Sequence, residues 1–247
     1  MSSSKARKAQ LASNLERVRD EIAKAAVAAG REPDDVNLIV VTKTFPASDI
    51  SDLVDLGVRD IGESRDQEAR VKAQELAGST PPDLRWHFIG QLQTNKAKSV
   101  ASYADFVHSV DRAGLVLALA KGAAAANREV GALVQVNLDR RTTAAAGAVA
   151  DTERGGTTAQ ETLELANQIA GCDGLRLTGV MGVAPLNEPP APAFELLAQM
   201  ATQVRAAHPS ASMISAGMSD DMVEAIAAGA THVRIGSKVL GFRPPIR

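Results

Sequence analysis

The feature that most constrains the fold of this sequence is an eightfold alternation of short apolar segments with longer amphipathic ones. The short segments are rich in β-branched residues, which is typical of strands buried on both faces. They span 36–42, 58–61, 84–88, 105–108, 133–136, 175–180, 212–214 and 232–235. The longer segments have helical periodicity, and they span 49–56, 66–76, 95–102, 112–126, 159–170, 193–207 and 221–228.

Strict alternation of strands and helices predicts a parallel sheet with helices outside it. Eight such units within 247 residues predict an α/β fold in which the sheet closes into a (β/α)8 TIM barrel. An open, doubly wound sheet is the alternative, but it would normally have fewer strands at this length.

An additional amphipathic helix is predicted ahead of the first strand. Its apolar positions recur every three or four residues, and they are Leu11, Leu15, Val18, Ile22 and Ala25. The segment 139–156 is long, polar and rich in small residues, which favours a mobile loop. Because the alternation resumes in phase after this loop, we expect one domain over residues 1–247.

Composition excludes several classes of function. A net charge of −2 and 3% aromatic residues do not favour nucleic-acid binding. The sequence has no apolar run long enough for a membrane span, and no apolar segment typical of a secretory signal follows the basic N-terminus. With a single cysteine, Cys172, an intrachain disulfide cannot form and a cytoplasmic location is expected. The four scattered histidines predict no metal site.

Polar and glycine residues follow the predicted strands, where active sites of such barrels lie. Lys43 comes directly after the first strand. Burial would lower the pKa of its ammonium and make the amine a nucleophile for carbonyl groups, as in Schiff-base lysines. The alternative is a lysine that extends to solvent at the end of the strand.

Two further loops are predicted to bind phosphate. After the seventh strand, Ser215, Gly217 and Ser219 suit a turn with free N–H and hydroxyl donors, although an ordinary helix cap is the alternative. After the eighth strand, Gly236 permits close backbone approach and Ser237 can donate to an anion. Phosphate sites of barrels commonly use these two loops.

A Schiff-base lysine and a phosphate site together predict a phosphorylated aldehyde, and pyridoxal 5'-phosphate (PLP) fits this description. Arg234, whose side chain is expected to enter the barrel mouth, would face the pyridine nitrogen. A guanidinium would keep that nitrogen unprotonated and weaken the ring as an electron sink, although a salt bridge is the alternative role for Arg234.

The sequence resembles the family of pyridoxal-phosphate homeostasis proteins, also called the YggS or PROSC family, over almost its whole length. The similar stretches are VTKTFP at 41–46, IGES with QEA at 61–69, WHFIGQLQTNK at 86–96, HSVDR at 108–112, VQVNLD at 134–139, LTGVMGVAP at 177–185 and SAGMSDDMVEAIAAGATHVRIGS at 215–237. The resemblance implies a fold like the N-terminal barrel of bacterial alanine racemase.

The resemblance also implies residue roles. Lys43 corresponds to the lysine that forms the Schiff base, and Arg234 to the residue facing the pyridine nitrogen. The phosphate cup corresponds to Ser215, Ala216 with Gly217, Gly236 and Ser237. Two positions depart from the family pattern, because Ser64 replaces an asparagine and Ala216 replaces a methionine whose backbone contact would survive.

The implied function is binding, buffering and delivery of PLP, with PLP-dependent apo-enzymes as candidate partners, no strong catalytic activity, and a monomer or dimer. A PLP-dependent amino-acid racemase is the alternative. Racemisation needs acid–base groups on both faces of the substrate. The related racemases take the second group from another domain, which we do not expect after Gly241, and Tyr103 is predicted at the opposite rim. A cofactor-free Schiff-base aldolase acting on a sugar phosphate is the third hypothesis.

Overall fold

The eight predicted strands form a closed parallel barrel in a computed structural model that describes residues 3–139 and 155–241. The strands are β1 (Asn37–Val41), β2 (Asp60–Glu63), β3 (Arg85–Phe88), β4 (Phe106–Val110), β5 (Val130–Val136), β6 (Leu175–Gly182), β7 (Met213–Ser215) and β8 (His232–Ile235). Each strand pairs with its neighbour in the chain, and β8 pairs with β1 from Asn37 opposite His232 to Val40 opposite Ile235. The predicted (β/α)8 barrel is therefore confirmed, and the open-sheet alternative is wrong.

Helices surround the barrel, and all but the last of them lie at predicted positions. They are α1 (Ser3–Ala28), α2 (Ala47–Asp55), α3 (Asp66–Glu75), α4 (Ala97–Ala101), α5 (Ala113–Ala126), α6 (Thr162–Ala170), α7 (Ala191–Ala207), α8 (Met222–Ala227) and α9 (Ser237–Leu240). Most of the predicted mobile loop, residues 140–154, lies outside the described residues. None of the helices in the described ranges is both long enough and apolar enough to cross a membrane.

The strands are buried on both faces, as their apolar composition predicts. All seven residues of β5 are buried. Helices cover the outside of the barrel through one apolar face each, and α7 buries Phe194, Leu197 and Val204 at helical spacing. Each such side chain removed from water contributes about 1.5–3 kcal/mol. Because all strands are parallel, their carboxyl ends meet at one mouth of the barrel.

The extra helix α1 packs against the barrel instead of extending into solvent. Its predicted apolar face is buried, with Leu11 and Val18 fully inaccessible. The side chain of Asn14 donates to the carbonyl of Val239 at 2.9 Å, and Arg7 donates to the carbonyl of Leu240 at 3.1 Å. Helix α1 therefore supports α9, which begins at Ser237 of the predicted phosphate loop.

Candidate cofactor site

A cavity of about 560 Å³ opens at the carboxyl ends of β1 and β8. This volume lies within the roughly 300–1,000 Å³ range of small-molecule sites. Four of the residues predicted for the site, Lys43, Arg234, Gly236 and Ser237, lie together in its wall. The remaining lining residues are Val41, Phe45, Ile89, Met218, Ser219 and Gly241.

Lys43 is the first residue of the turn after β1, and it is half-buried in the cavity wall. The next residue, Thr44, has a φ of 70°, which is the left-handed region that β-branched residues rarely adopt. The backbone N–H of Thr44 donates to the carboxylate of Glu68. This contact holds the strained turn and thereby the starting point of the Lys43 side chain.

A buried ion cluster supports the same turn from below. The ammonium of Lys72, on α3, lies 2.7 Å from Glu63 Oε1 and 2.6 Å from Glu68 Oε1, and it donates to the carbonyl of Thr42 at 2.9 Å. Burial raises the pKa of Glu63, although the hydrogen bonds from Lys72 and Thr42 oppose the increase. We call Thr42, Glu63, Glu68 and Lys72 the Lys72 cluster. Its contacts fix the backbone on both sides of Lys43.

Arg234 lies on β8, the strand that pairs with β1, and it also lines the cavity. The residue is only 5% exposed. Its Nη1 donates to the hydroxyl of Ser215 at 2.8 Å, and its Nη2 donates to the carbonyl of Gly182 at 3.0 Å. Burial lowers the pKa of Arg234 to about 10, so the guanidinium is still charged at neutral pH. Both of these acceptors are neutral oxygens, so this pair of contacts leaves the positive charge uncancelled.

The predicted phosphate residues separate into two groups. Ser237, Gly236 and Ser219 lie at the cavity, and the hydroxyls of Ser219 and Ser237 are 3.5 Å apart. A side chain at position 236 would approach the carbonyl of Val41 to 3.2 Å, which explains the glycine. Two hydroxyls on neighbouring loops form a suitable pair of donors for a phosphate.

Ser215, Ala216 and Gly217 are buried and are not among the residues that line the cavity. The hydroxyl of Ser215 contacts Arg234 inside the barrel. The N–H of Ala216 donates to the carbonyl of His232 at 3.0 Å, and the carbonyl of Gly217 accepts from the N–H of Arg234 at 2.9 Å. These three residues join β7 to β8 and hold the arginine in place.

Several residues near the site were not predicted to contribute to it. The ring of His87 forms hydrogen bonds to Asp60 and His108. Ser64 packs against Gly90, where an added side chain would meet the carbonyl of Ser64 at 2.2 Å. Ser64 also lines a separate cavity of about 310 Å³ that includes Lys96.

The chemistry of the lining fits PLP. The cavity presents an amine, a guanidinium and two hydroxyls, and a phosphorylated aldehyde with a pyridine ring can use all of these groups. The apolar side chains of Val41, Phe45 and Ile89 provide contacts for a ring. Among the described residues, no cluster of three or more histidine, cysteine or carboxylate side chains could hold a metal ion.

Fold and site together define a cofactor-binding barrel of the alanine racemase type. The family model "Alanine racemase, N-terminal domain" matches residues 9–244. A "Pyridoxal phosphate homeostasis protein" of Mycobacterium bovis is 38% identical, over 96% of this chain and 94% of that protein. The chain belongs to the family of pyridoxal phosphate homeostasis proteins within this class.

Solved structures agree with this membership. PipY of Synechococcus elongatus PCC7942, described as having PLP bound, is 30% identical and aligns with a TM-score of 0.76 over 94% of this chain and 100% of PipY. Alanine racemase from Streptomyces coelicolor A3(2) is 17% identical with a TM-score of 0.72. The alignment covers 96% of this chain and 59% of the racemase, and this likeness shows the fold alone.

Proposed function

We propose that this protein binds PLP through a covalent bond to Lys43 and serves PLP homeostasis by holding and delivering the cofactor. The observation that carries the proposal is the convergence of Lys43, Arg234 and the hydroxyls of Ser219 and Ser237 on one cavity. Membership of the homeostasis family and the PLP-bound relative support the same cofactor.

Each lining residue has a role in this proposal. The amine of Lys43 attaches the cofactor, Ser219 and Ser237 donate to its phosphate, and Gly236 allows the backbone to approach that phosphate. Arg234 faces the ring nitrogen and keeps it unprotonated, because a guanidinium donates hydrogen bonds but supplies no acidic proton. When bound, PLP supplies an aldehyde for the lysine and a ring that accepts electrons best when its nitrogen is protonated.

The same arrangement favours carriage of PLP over racemisation. A racemase needs a second acid–base group facing Lys43 across the substrate. Tyr103, the one tyrosine of the chain, is 9% exposed and is not among the residues lining the cavity. Burial raises the pKa of Tyr103, which keeps its hydroxyl protonated and therefore unable to act as the base.

The cellular setting is part of the proposal. We expect a cytoplasmic protein that acts as a monomer and passes PLP to apo-enzymes that depend on it. The half-buried position of Lys43 in the cavity wall supports exchange, since this residue is partly exposed to solvent.

The test compares wild type with Lys43→Ala and with Lys98→Ala, a matched control at an exposed lysine of α4. Wild type and Lys98→Ala, incubated with PLP, should show a visible absorption band that borohydride bleaches. The peptide containing Lys43 should then gain the mass of the reduced cofactor, and Lys43→Ala should show neither change. An absence of the band in wild type with excess PLP would overturn the proposal and leave the sugar-phosphate aldolase as the next hypothesis to assay.

Two further assays separate a carrier from an enzyme. Loaded protein should restore activity to a PLP-dependent apo-enzyme when the two are mixed. Amino-acid racemisation at ordinary enzyme rates, about 1–10³ s⁻¹, would contradict the carrier function and favour the racemase alternative.

A further inference from the structure

A continuous chain of hydrogen bonds leads from Arg234 into the barrel interior. The Nη1 of Arg234 is 2.8 Å from Ser215 Oγ, which is 2.9 Å from His108 Nδ1. The Nε2 of His108 is 2.9 Å from His87 Nδ1, and the Nε2 of His87 is 2.8 Å from Asp60 Oδ1. All five residues are buried, with exposed fractions between 0% and 7%. We call these five residues the interior chain.

The interior chain connects the two mouths of the barrel. Arg234 lines the cavity at the carboxyl ends of the strands. Asp60 is the first residue of β2, so it lies at the amino-terminal end of that strand, where Arg85 donates to its Oδ2 at 2.6 Å. The ring of His87 stacks on Phe106 with 4.7 Å between centroids and 6° between planes, which fixes its orientation. Five different strands contribute one member each.

The chemistry of the two ends gives the chain a direction. A guanidinium only donates and an ionised carboxylate only accepts. His87 must therefore carry its proton on Nε2, which leaves Nδ1 of a neutral ring as an acceptor. That acceptor requires a proton on Nε2 of His108, whose Nδ1 then accepts from the hydroxyl of Ser215. All four hydrogen bonds thus point from Arg234 towards Asp60.

The surroundings favour a neutral His108 between the charged ends of the chain. Burial holds the pKa of His108 well below its usual value, and the nearby His87, Arg234 and His232 act in the same direction. At the far end, burial acts to raise the pKa of Asp60, but the hydrogen bonds from His87 and Arg85 outweigh it and lower the pKa. His232, on β8, bonds to Thr231 and is not a member of the chain.

We propose that Asp60, His87 and His108 are positioning residues of the cofactor site, which orient Ser215 and hold the guanidinium of Arg234 towards the ring nitrogen of PLP. This inference rests on the proposed binding of PLP. Because the Ser215 proton is committed to His108, the Ser215 oxygen is free to accept from Arg234. The N–H groups of Arg234 that Ser215 and Gly182 do not use remain available to the cavity.

The direction of the chain is testable without cofactor. The apo-protein is prepared with ¹⁵N-labelled histidine, and the ring signals are assigned with single histidine variants. The ¹⁵N chemical shifts of His87 and His108 should be those of neutral rings protonated on Nε2. The expected signal of His108 persists from pH 8 to pH 6, because burial holds its pKa well below its usual value. A charged His87, or a His108 protonated on Nδ1, would reverse the bond to Ser215 and overturn the proposal.

The effect on the site is tested with a matched pair of variants. In His108→Gln, the amide keeps one donor and one acceptor, whereas His108→Leu has neither. We expect the dissociation constant for PLP to stay within about threefold of wild type for His108→Gln and to rise about tenfold or more for His108→Leu. The absorption maximum of bound PLP should also move in His108→Leu alone. Equal affinities and spectra in both variants would contradict the proposal.

If His108→Leu does not fold, Asp60→Asn replaces it, because this change removes the charge at the far end of the chain and keeps the side-chain size. It should shift the His87 and His108 signals and weaken PLP binding by about threefold. Unchanged binding and signals would overturn the inference. Failure of wild type to bind PLP would instead reject the proposed function. The ¹⁵N spectrum of the apo-protein tests the interior chain independently of PLP and therefore distinguishes the two failures.

Discussion

Lys72 and Arg234 are both buried cations beside the cavity, but their charges are compensated in different ways. Lys72 lies within 2.7 Å of two carboxylates, Glu63 and Glu68. Arg234 contacts the neutral oxygens of Ser215 and Gly182, and its hydrogen-bonded path to the carboxylate of Asp60 passes through three intervening side chains. Asp221 also acts on it, at longer range.

The difference indicates two distinct tasks. A buried cation with direct carboxylate partners has its charge cancelled locally and contributes mainly to structure. A buried cation held by neutral acceptors keeps its charge available to a ligand. The Lys72 cluster therefore maintains the turn that carries Lys43, whereas the interior chain presents a positive charge to the cavity.

The largest expected effect comes from removing Lys72. Lys72→Met would leave the buried Glu63 beside Glu68 without a cation, and breaking a buried pair in this way costs about 3–5 kcal/mol. Urea unfolding at pH 7 should show this loss, while Lys98→Met, at an exposed position of α4, should remain close to wild type. A loss of unfolding free energy no larger than that of Lys98→Met would show that the Lys72 cluster does not stabilise the fold. Lys72 would then not differ from Arg234 in the way described.

The second prediction concerns pH and the histidines beside Arg234. Burial lowers the pKa of His232 to about 4, so between about pH 4 and 6.5 the unfolded chain binds more protons than the folded one. Stability therefore falls as pH drops through this window, by about 2 kcal/mol from His232 between pH 7 and 5. His108, whose pKa is also lowered, acts in the same direction.

The contribution of Glu63, in the Lys72 cluster, to stability should change with pH in the opposite direction. Because the pKa of Glu63 is raised, its contribution is fully present below the pKa of an unfolded glutamate and is lost as pH rises through the folded pKa.

Unfolding free energies measured at pH 7 and 5 for wild type and His232→Asn isolate the contribution of His232 to the pH dependence. A variant as pH-sensitive as wild type would contradict the assignment to His232.

The smallest effect on stability is expected for Arg234→Met. No carboxylate is in contact with this guanidinium among the described residues, so the variant leaves only neutral acceptors unpaired, at a cost of about 1–2 kcal/mol. Affinity for PLP should fall and its absorption maximum should shift, and Arg234→Lys should not restore either property, since an ammonium lacks the fork geometry. A stability loss as large as that of Lys72→Met would show that the two cations are equivalent.

The sequence predicted the barrel well because strand and helix periodicity are local properties. It also indicated Lys43, Arg234, Gly236 and Ser237, since each follows or ends a strand whose direction the parallel fold determines. These predictions needed only the order of the elements along the chain.

The remaining contacts depend on which way a side chain points. Ser215 ends β7, a strand of three residues. If the strand were shifted by one residue, the Ser215 side chain would point to the surrounding helices instead of the barrel interior. Lys72 was part of a predicted helix, but its partners Thr42 and Glu63 come from two other elements. The chain from Asp60 to Ser215 joins residues as far as 107 positions apart, which no local pattern reports.

The contacts of α1 with α9 also affect when the site can form during synthesis. Arg7 reaches Leu240 across 233 positions, and the ion pair of Glu21 with Lys238 spans 217. Contacts of such separation form late, because the intervening chain must be present and ordered first. A ribosome-bound chain would therefore contain Lys43 long before the β8–α9 turn that completes the cavity, and stable retention of PLP would begin only after nearly the whole barrel has been made.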